Sequence, residues 1–253
     1  MKNGSTAERA LHTTESMRIL HTTGTLLVQV GRSPAFLLVA LVTLTARWVI
    51  DLALPLGLST QRTHELAAAY EVAYLGGLTG AALTAREATR LRPTFRALDG
   101  PTRVLAGAAS GFGAALAIGA CAVVPAHLTR TWQGLPFHAN QSLIALALAW
   151  LGFVAFAAFA CEWFKGARAA AVLAPGAAFL ATLLLPVALP SPLNALFEFS
   201  APLRATFDLS ALPAHWRAPI WSTLLWGSLA VALAAPPRTP GIERASHALR
   251  NPR

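Results

Sequence analysis

The sequence predicts an all-α membrane protein with six transmembrane helices. Of its 253 residues, 55% are hydrophobic and only 12% are charged, whereas soluble domains carry about 25% charged residues. Six separate windows are almost free of charge, and each is about 20 residues long, the length that a helix needs to cross a bilayer. Basic residues cluster between alternate windows, as they do beside the cytoplasmic ends of membrane helices. This much apolar surface also excludes a disordered chain.

The six windows define a single membrane domain. They cover residues 35–54, 66–85, 104–126, 142–164, 169–189 and 218–235. Because the hydrocarbon core is about 30 Å thick and a helix rises about 1.5 Å per residue, each window is long enough to cross with little tilt. We therefore divide the chain into a cytoplasmic arm over 1–34, a transmembrane domain over 35–235 and a cytoplasmic tail over 236–253.

The distribution of arginine and lysine predicts which side each connection faces. The arm carries four of these residues, the connection between the second and third windows five, the next connection on that side two, and the tail four. By the positive-inside rule, both termini are cytoplasmic. The net charge of +9 therefore arises beside the membrane crossings and does not predict a nucleic-acid partner, because it forms no continuous basic stripe.

The cytoplasmic arm is predicted to contain an interfacial helix. Five residues fall near one face of a helix over 16–29, with polar residues elsewhere: Met17, Leu20, Gly24, Leu27 and Val28. Such an amphipathic helix lies in the membrane interface and leads into the first span at Ser33-Pro34. A frayed polar leader is the alternative interpretation.

The sequence predicts no catalytic residue, no metal site and no cofactor in this chain. Ser110 lies in a Gly107–Gly111 stretch that faintly resembles the serine motif of rhomboid proteases, but the last two spans contain no histidine to act as its base. We interpret Ser110 as a small polar residue at a helix contact. Lys2 and Lys165 are the only lysines, and neither lies in a phosphate-binding loop. The protein is thus predicted not to be an ATPase or another enzyme.

Four ionisable residues lie inside the predicted spans, where each is costly. Arg47 and Asp51 are four apart on the first span and share a helical face. Glu71 lies in the second span and Glu162 near the inner end of the fourth. These residues are predicted to form a substrate path or a brace between helices. The alternative is a self-satisfied Arg47–Asp51 pair together with carboxylates near the interface.

Small residues in the second and third spans predict close helix packing. Gly76 and Gly80 form one Gly-x-x-x-Gly pair, and Gly107 and Gly111 form another. Such pairs allow helix backbones to approach closely in lipid. We interpret both pairs as packing sites and only secondarily as a dimer face.

The most informative segment is the basic connection, which we define as residues 86–103. Leu91, Phe95 and Leu98 share a face of a short helix over 87–98, and arginines flank that face. An apolar face bordered by charge is what a helix needs to dock into a cytoplasmic partner. The sequence therefore predicts a protein–protein contact on the cytoplasmic side.

The layout resembles the membrane subunit of type-2 ABC exporters, the permeases of drug, polysaccharide, haem and related export systems. Those subunits have an amphipathic elbow helix, an Arg-x-Pro-like approach to the first span and a coupling helix between the second and third spans. Gly31-Arg32-Ser33-Pro34 is similar to the approach, and the basic connection is similar to the coupling position. The proline-rich stretch 190–217 is similar to the outer connection of that family, with short re-entrant helices at 193–199 and 203–209.

This resemblance implies a permease subunit of the bacterial inner membrane that works by alternating access. ATP and Mg²⁺ would be bound by a separate ABC-type ATPase subunit, and a second permease copy or a paralogue would complete the path. Membrane lipid is a further expected partner. The residues implied to couple the ATPase to the spans are Arg86, Glu87, Arg90, Arg92, Phe95, Arg96 and Asp99.

The resemblance favours export, while the residues themselves leave the substrate and the direction open. Two alternatives remain at this point. The stretch 80–87 is similar to part of the lipid-trafficking ABC permeases, which have fewer spans. A membrane scaffold or assembly protein with the same topology and no substrate path is the second alternative.

Overall fold

The protein is all-helical in the part of the chain that the structure describes. This computed structural model describes residues 4–53, 59–90, 98–132, 140–166, 168–199 and 217–235, and no strand occurs among them. The α-helices are α1 (Gly4–Gly31), α2 (Pro34–Ala53), α3 (Ser59–Arg90), α4 (Gly100–Trp132), α5 (Asn140–Trp163), α6 (Arg168–Ala188) and α7 (Arg217–Ala234). A short 3-10 helix covers Leu193–Leu196. The predicted all-α class is confirmed.

Each of the six apolar windows falls on one helix, from α2 to α7. By length and composition, α4 over Gly100–Thr129 and α5 over Leu143–Trp163 are able to cross a membrane. A third span results if Ser16–Gly31 and Pro34–Ala46 are one broken span. The apolar parts of α6 and α7 are shorter, and α3, which carries Glu71, does not satisfy the same criteria among the described residues. These helices indicate a membrane protein.

Helix α1 turns sharply into α2 and packs on α4. The two helices meet at 72° beside Ser33, where Pro34 lacks the N–H that would continue α1. Leu26 and Val30 are buried against Ala106 of α4. Of the predicted apolar stripe, Met17, Leu20 and Val28 are exposed on the outside of the bundle, whereas Leu27 packs against Gly113 of α4. The buried face of α1 is therefore only partly the face that the sequence pattern emphasises.

The core is centred on Trp150 of α5. Its indole fits between Gly77 of α3 and Gly119 of α4, so closely that a Cβ on either glycine would overlap the ring. The indole Nε1 donates a hydrogen bond to the carbonyl oxygen of Tyr74 at 3.3 Å. With only 3% of its surface exposed, Trp150 holds three helices together.

The segment after α6 folds back against the middle of α5 and α7. Phe199 is fully buried, with its ring on Gly152. The carbonyl oxygen of Leu196 accepts hydrogen bonds from Ser222 Oγ at 2.7 Å and from Trp226 Nε1 at 2.9 Å. Because Gly152 and Trp226 lie near the centres of their helices, this segment penetrates the bundle. The second predicted short helix, 203–209, lies outside the described residues.

Candidate functional site

A cavity lies between α3, α4 and α5, at the end of these helices nearest the basic connection. Its volume is about 270 Å³. Its apolar wall is formed by small side chains, chiefly Ala81, Ala85, Ala88, Val104, Gly107, Ala108, Gly111, Val154, Ala157 and Ala158. Its other end is polar, with Thr89, Arg103, Glu162 and Lys165. The sequence places small residues on all three helices here, so the helices leave a space that no side chain fills.

Glu162 of α5 is the centre of a charged cluster at the polar end. Arg103 of α4 donates to it from Nε at 3.3 Å and from Nη2 at 3.2 Å, and Lys165 Nζ donates at 3.2 Å. The Glu162 side chain is 11% exposed, against 30% for Arg103 and 48% for Lys165. The carboxylate is therefore shielded, and its two cations form the accessible surface of the cluster.

The cluster also reaches α7. Lys165 Nζ donates a second hydrogen bond, at 2.6 Å, to the carbonyl oxygen of Leu233 in the last turn of α7. A cation at this position satisfies a terminal carbonyl and opposes the negative end of the helix dipole. Close by, Gly100 packs directly against the backbone of Ala234, where a Cβ would collide. The first turn of α4, the end of α5 and the end of α7 are thus tied together.

Asp99 caps the amino terminus of α4. Its carbonyl oxygen accepts the first helical hydrogen bond from the Arg103 N–H at 3.0 Å, and its Oδ2 accepts from the Thr102 N–H at 3.3 Å. Hydrogen bonding by Thr102 lowers the pKa of Asp99, with a smaller contribution from the Arg103 charge. The resemblance implies that this residue contacts an ATPase. In the structure, it fixes the residue at which α4 begins.

Replacing Asp99 by alanine is expected to cost about 1 kcal/mol of stability at neutral pH, the usual effect of losing a helix cap. Because the folded-state pKa is lowered, the ionised cap stabilises the protein above the unfolded pKa of about 3.9, and this contribution is lost as the pH falls through the lowered value. Thermal unfolding of the purified protein from pH 3 to 7 measures this. Asp99→Asn keeps a capping oxygen but cannot titrate, so it should differ little from wild type at neutral pH. A pH-independent effect of Asp99→Ala would contradict the assignment.

The structure extends α3 further into the basic connection than the sequence predicted. Arg86 and Glu87 lie in the last turns of α3, continuous with the second apolar window, and not on a separate helix. Arg86 is exposed, and its carbonyl oxygen accepts a hydrogen bond from Thr89 Oγ1 at 2.6 Å. The side chain of Arg90 and the whole of 91–97, including Arg92, Phe95 and Arg96, lie outside the described residues.

Of the four ionisable residues of the predicted spans, the structure describes the side chains of Glu71 and Glu162, and it does not bring these two together. Glu162 pairs with Arg103 of a neighbouring helix, which makes it a brace between helices. Glu71 is exposed on α3 and does not line the cavity. Arg47 and Asp51 lie on α2, but their side chains are outside the described residues.

The two glycine pairs differ in what they contact. Ile118 of α4 lies against both Gly76 and Gly80, and Thr43 of α2 also contacts Gly76. Gly111 faces Val154 of α5 at ordinary van der Waals distance. A Cβ on Gly107 would meet no heavy atom within 4 Å, because this residue faces the cavity. Within one chain, Gly107 therefore contributes to the cavity, whereas Gly76, Gly80 and Gly111 allow close packing of the helices.

Ser110 is buried where α1 crosses α4. Its hydroxyl donates a hydrogen bond to the carbonyl oxygen of Ala106 at 2.7 Å, and its Oγ lies 3.5 Å from the carbonyl oxygen of Thr23. This is the helix contact that the sequence predicted. Among the described residues, no group of three or more His, Cys, Asp and Glu is placed to hold a metal ion.

Two members of the charged cluster are not predicted as site residues from the sequence. The sequence identifies Arg103 and Lys165 only as cytoplasmic charges, although it predicts both to lie at the same membrane face as Glu162. A carboxylate near a span end, with cations at the matching ends of other spans, is the signal that identifies such a cluster. The charged cluster is suited to ionic binding, and the apolar wall of the cavity is suited to apolar binding.

No family model, curated protein or solved structure matches the chain.

Proposed function

We propose that the protein is the permease subunit of an ABC transporter in the bacterial inner membrane. Six helices, α2 to α7, span the membrane with both termini in the cytoplasm. A separate ATPase subunit binds ATP and Mg²⁺, and a second permease copy or a paralogue completes the substrate path. This chain itself performs no catalysis, and alternating access, favouring export, is driven by the ATPase through the basic connection.

The observation that carries this proposal is the linkage of the basic connection to three helices. For coupling, motion imposed on residues 86–103 has to move the membrane helices and not only rearrange the connection itself. Within the basic connection, α4 begins after the Asp99 cap, and Arg103 in its first turn is ion-paired to Glu162 of α5. Lys165 carries the same linkage to the end of α7. A load applied to this loop is therefore transmitted to α4, α5 and α7 as a unit.

Two further features support the proposed topology. The segment around Phe199 enters the bundle between α5 and α7, which is the behaviour expected of a re-entrant segment before a last span. The exposed stripe of Met17, Leu20 and Val28 on α1 is suited to contact with acyl chains, because apolar side chains of an interfacial helix face the lipid.

Charge reversal in the basic connection is the test of ATPase coupling. The double variant Arg92→Glu/Arg96→Glu is expected to reduce the amount of ATPase that co-purifies from native membranes by at least about tenfold, because close charge pairs at an interface contribute several kcal/mol. Membrane insertion should be unchanged. The matched control is Arg244→Glu/Arg250→Glu in the tail, which changes the net charge equally and should retain the partner.

Retention of the ATPase by the connection variant would remove the coupling assignment. Absence of any nucleotide-binding partner on the wild-type protein, purified from its native membrane under mild detergent, would instead favour a membrane scaffold.

A further inference from the structure

We propose that the cavity between α3, α4 and α5 is a binding site for an anionic phospholipid of the cytoplasmic leaflet. Its headgroup would be held by Arg103 and Lys165, and part of one acyl chain would lie along the small-residue wall. This inference requires a membrane with the basic connection on the cytoplasmic side. It does not require an ATPase partner.

The shape of the cavity fits an amphiphile. From Arg103 at the polar end to Gly111 at the apolar end, α4 runs eight residues, or about 12 Å. This is slightly less than the hydrocarbon depth of one leaflet, about 15 Å. The volume of about 270 Å³ is at the lower limit of small-molecule sites and suits one flexible chain better than a rigid, bulky ligand. The wall consists mainly of alanine and glycine, which offer no polar group to bind a soluble compound.

The charge of the cavity selects an anion. Two cations surround one carboxylate, which leaves one net positive charge, and the carboxylate is the least exposed of the three. Arg103 Nη1 makes no hydrogen bond among the described residues, and Lys165 has one N–H beyond its bonds to Glu162 and Leu233. Phosphate oxygens accept from such donors, and basic pockets between membrane helices on the cytoplasmic side recognise anionic headgroups.

Lipid retention by the purified full chain tests the proposal. The protein is exchanged into detergent containing phosphatidylglycerol or phosphatidylcholine with identical acyl chains, and bound lipid is counted by native mass spectrometry. Wild type is expected to retain phosphatidylglycerol preferentially. Lys165→Gln is expected to reduce this preference about fivefold, the effect of one cation near an anionic surface, while phosphatidylcholine retention is unchanged.

Filling the cavity provides an independent variant. Gly107→Leu projects its side chain into the open space that Gly107 faces, so it should lower phosphatidylglycerol retention at least about fivefold without disturbing the charged cluster. Gly176→Leu is the matched control, because its Cβ position on α6 is also open and lies outside the cavity. It should bind lipid like wild type. Equal retention by Gly107→Leu and wild type, or equal binding of both lipids by wild type, would overturn the proposal.

Discussion

Replacing Gly119 by alanine is expected to destabilise the bundle by about 1–3 kcal/mol, the usual cost of overpacking a filled core. The added Cβ would overlap the six-membered ring of Trp150. The ring has little room to move, because Gly77 of α3 is packed against its Nε1, Cε2 and Cζ2 atoms and Nε1 is hydrogen-bonded to the Tyr74 carbonyl oxygen. Thermal unfolding of the detergent-purified protein measures the effect, and Gly77→Ala should behave in the same way.

The control substitution is expected to change the stability in the opposite direction. In an open helical position, glycine to alanine stabilises by about 0.5–1 kcal/mol, because glycine loses more backbone entropy on folding. Gly176→Ala on α6, whose Cβ position is open, should therefore raise the unfolding temperature. In a Trp150→Leu background, which removes the indole, the penalty of Gly119→Ala should disappear. A stabilising effect of Gly119→Ala in the wild-type background would show that Trp150 is not packed as described.

Reversing the charge of Glu162 is expected to have an effect on stability of similar size. Glu162→Arg would place three cations together, leave the Lys165 ammonium unpaired and lose the hydrogen bonds from Arg103. Since hydrogen bonds to charged groups contribute about 1.5–3 kcal/mol each and the cluster is partly solvated, we expect a loss of about 2–3 kcal/mol. Arg103→Glu should cost less, because Lys165 still compensates one carboxylate.

The charge-swap variant Arg103→Glu/Glu162→Arg separates a specific pair from a general loss of stability. It restores opposite charges between α4 and α5, so it should recover more than half of the stability lost by Glu162→Arg, as coupled residues do in a double-mutant cycle. If the two single effects simply add in the swap, the pair does not brace these helices.

The helices were predictable because each apolar window carries few charges and is about as long as a helix that crosses a membrane. The windows at 104–126 and 142–164 correspond to α4 and α5; α4 extends beyond its window at both ends, and α5 begins two residues before its window and ends at Trp163. The pair Gly76 and Gly80 was identified because close helix contacts require small residues at that spacing. Both predictions depend only on local sequence, which is why they could be made without the fold.

The contacts of Trp150 and Glu162 depend on which helices are neighbours, and that information is not local. Trp150 is 73 and 31 residues from the two glycines it contacts, Gly77 and Gly119, and Arg103 is 59 residues from Glu162. Similarly, the face of α1 that packs on α4 is the one with Leu26 and Val30, while Met17 and Leu20 are exposed.

The proposed function requires the basic connection and the charged cluster to lie on the cytoplasmic side of the membrane. Single cysteines at Gly166 and Trp132 report on this, because both residues are exposed, Gly166 follows α5 and Trp132 ends α4, and the proposed topology places them on opposite sides of the membrane. The native Cys121 and Cys161 are first replaced by alanine. A membrane-impermeant maleimide should label Trp132→Cys in intact cells, and should label Gly166→Cys only after the membrane is permeabilised. Labelling of Gly166→Cys in intact cells, or of both positions from the same side, would contradict the proposed topology and the function built on it.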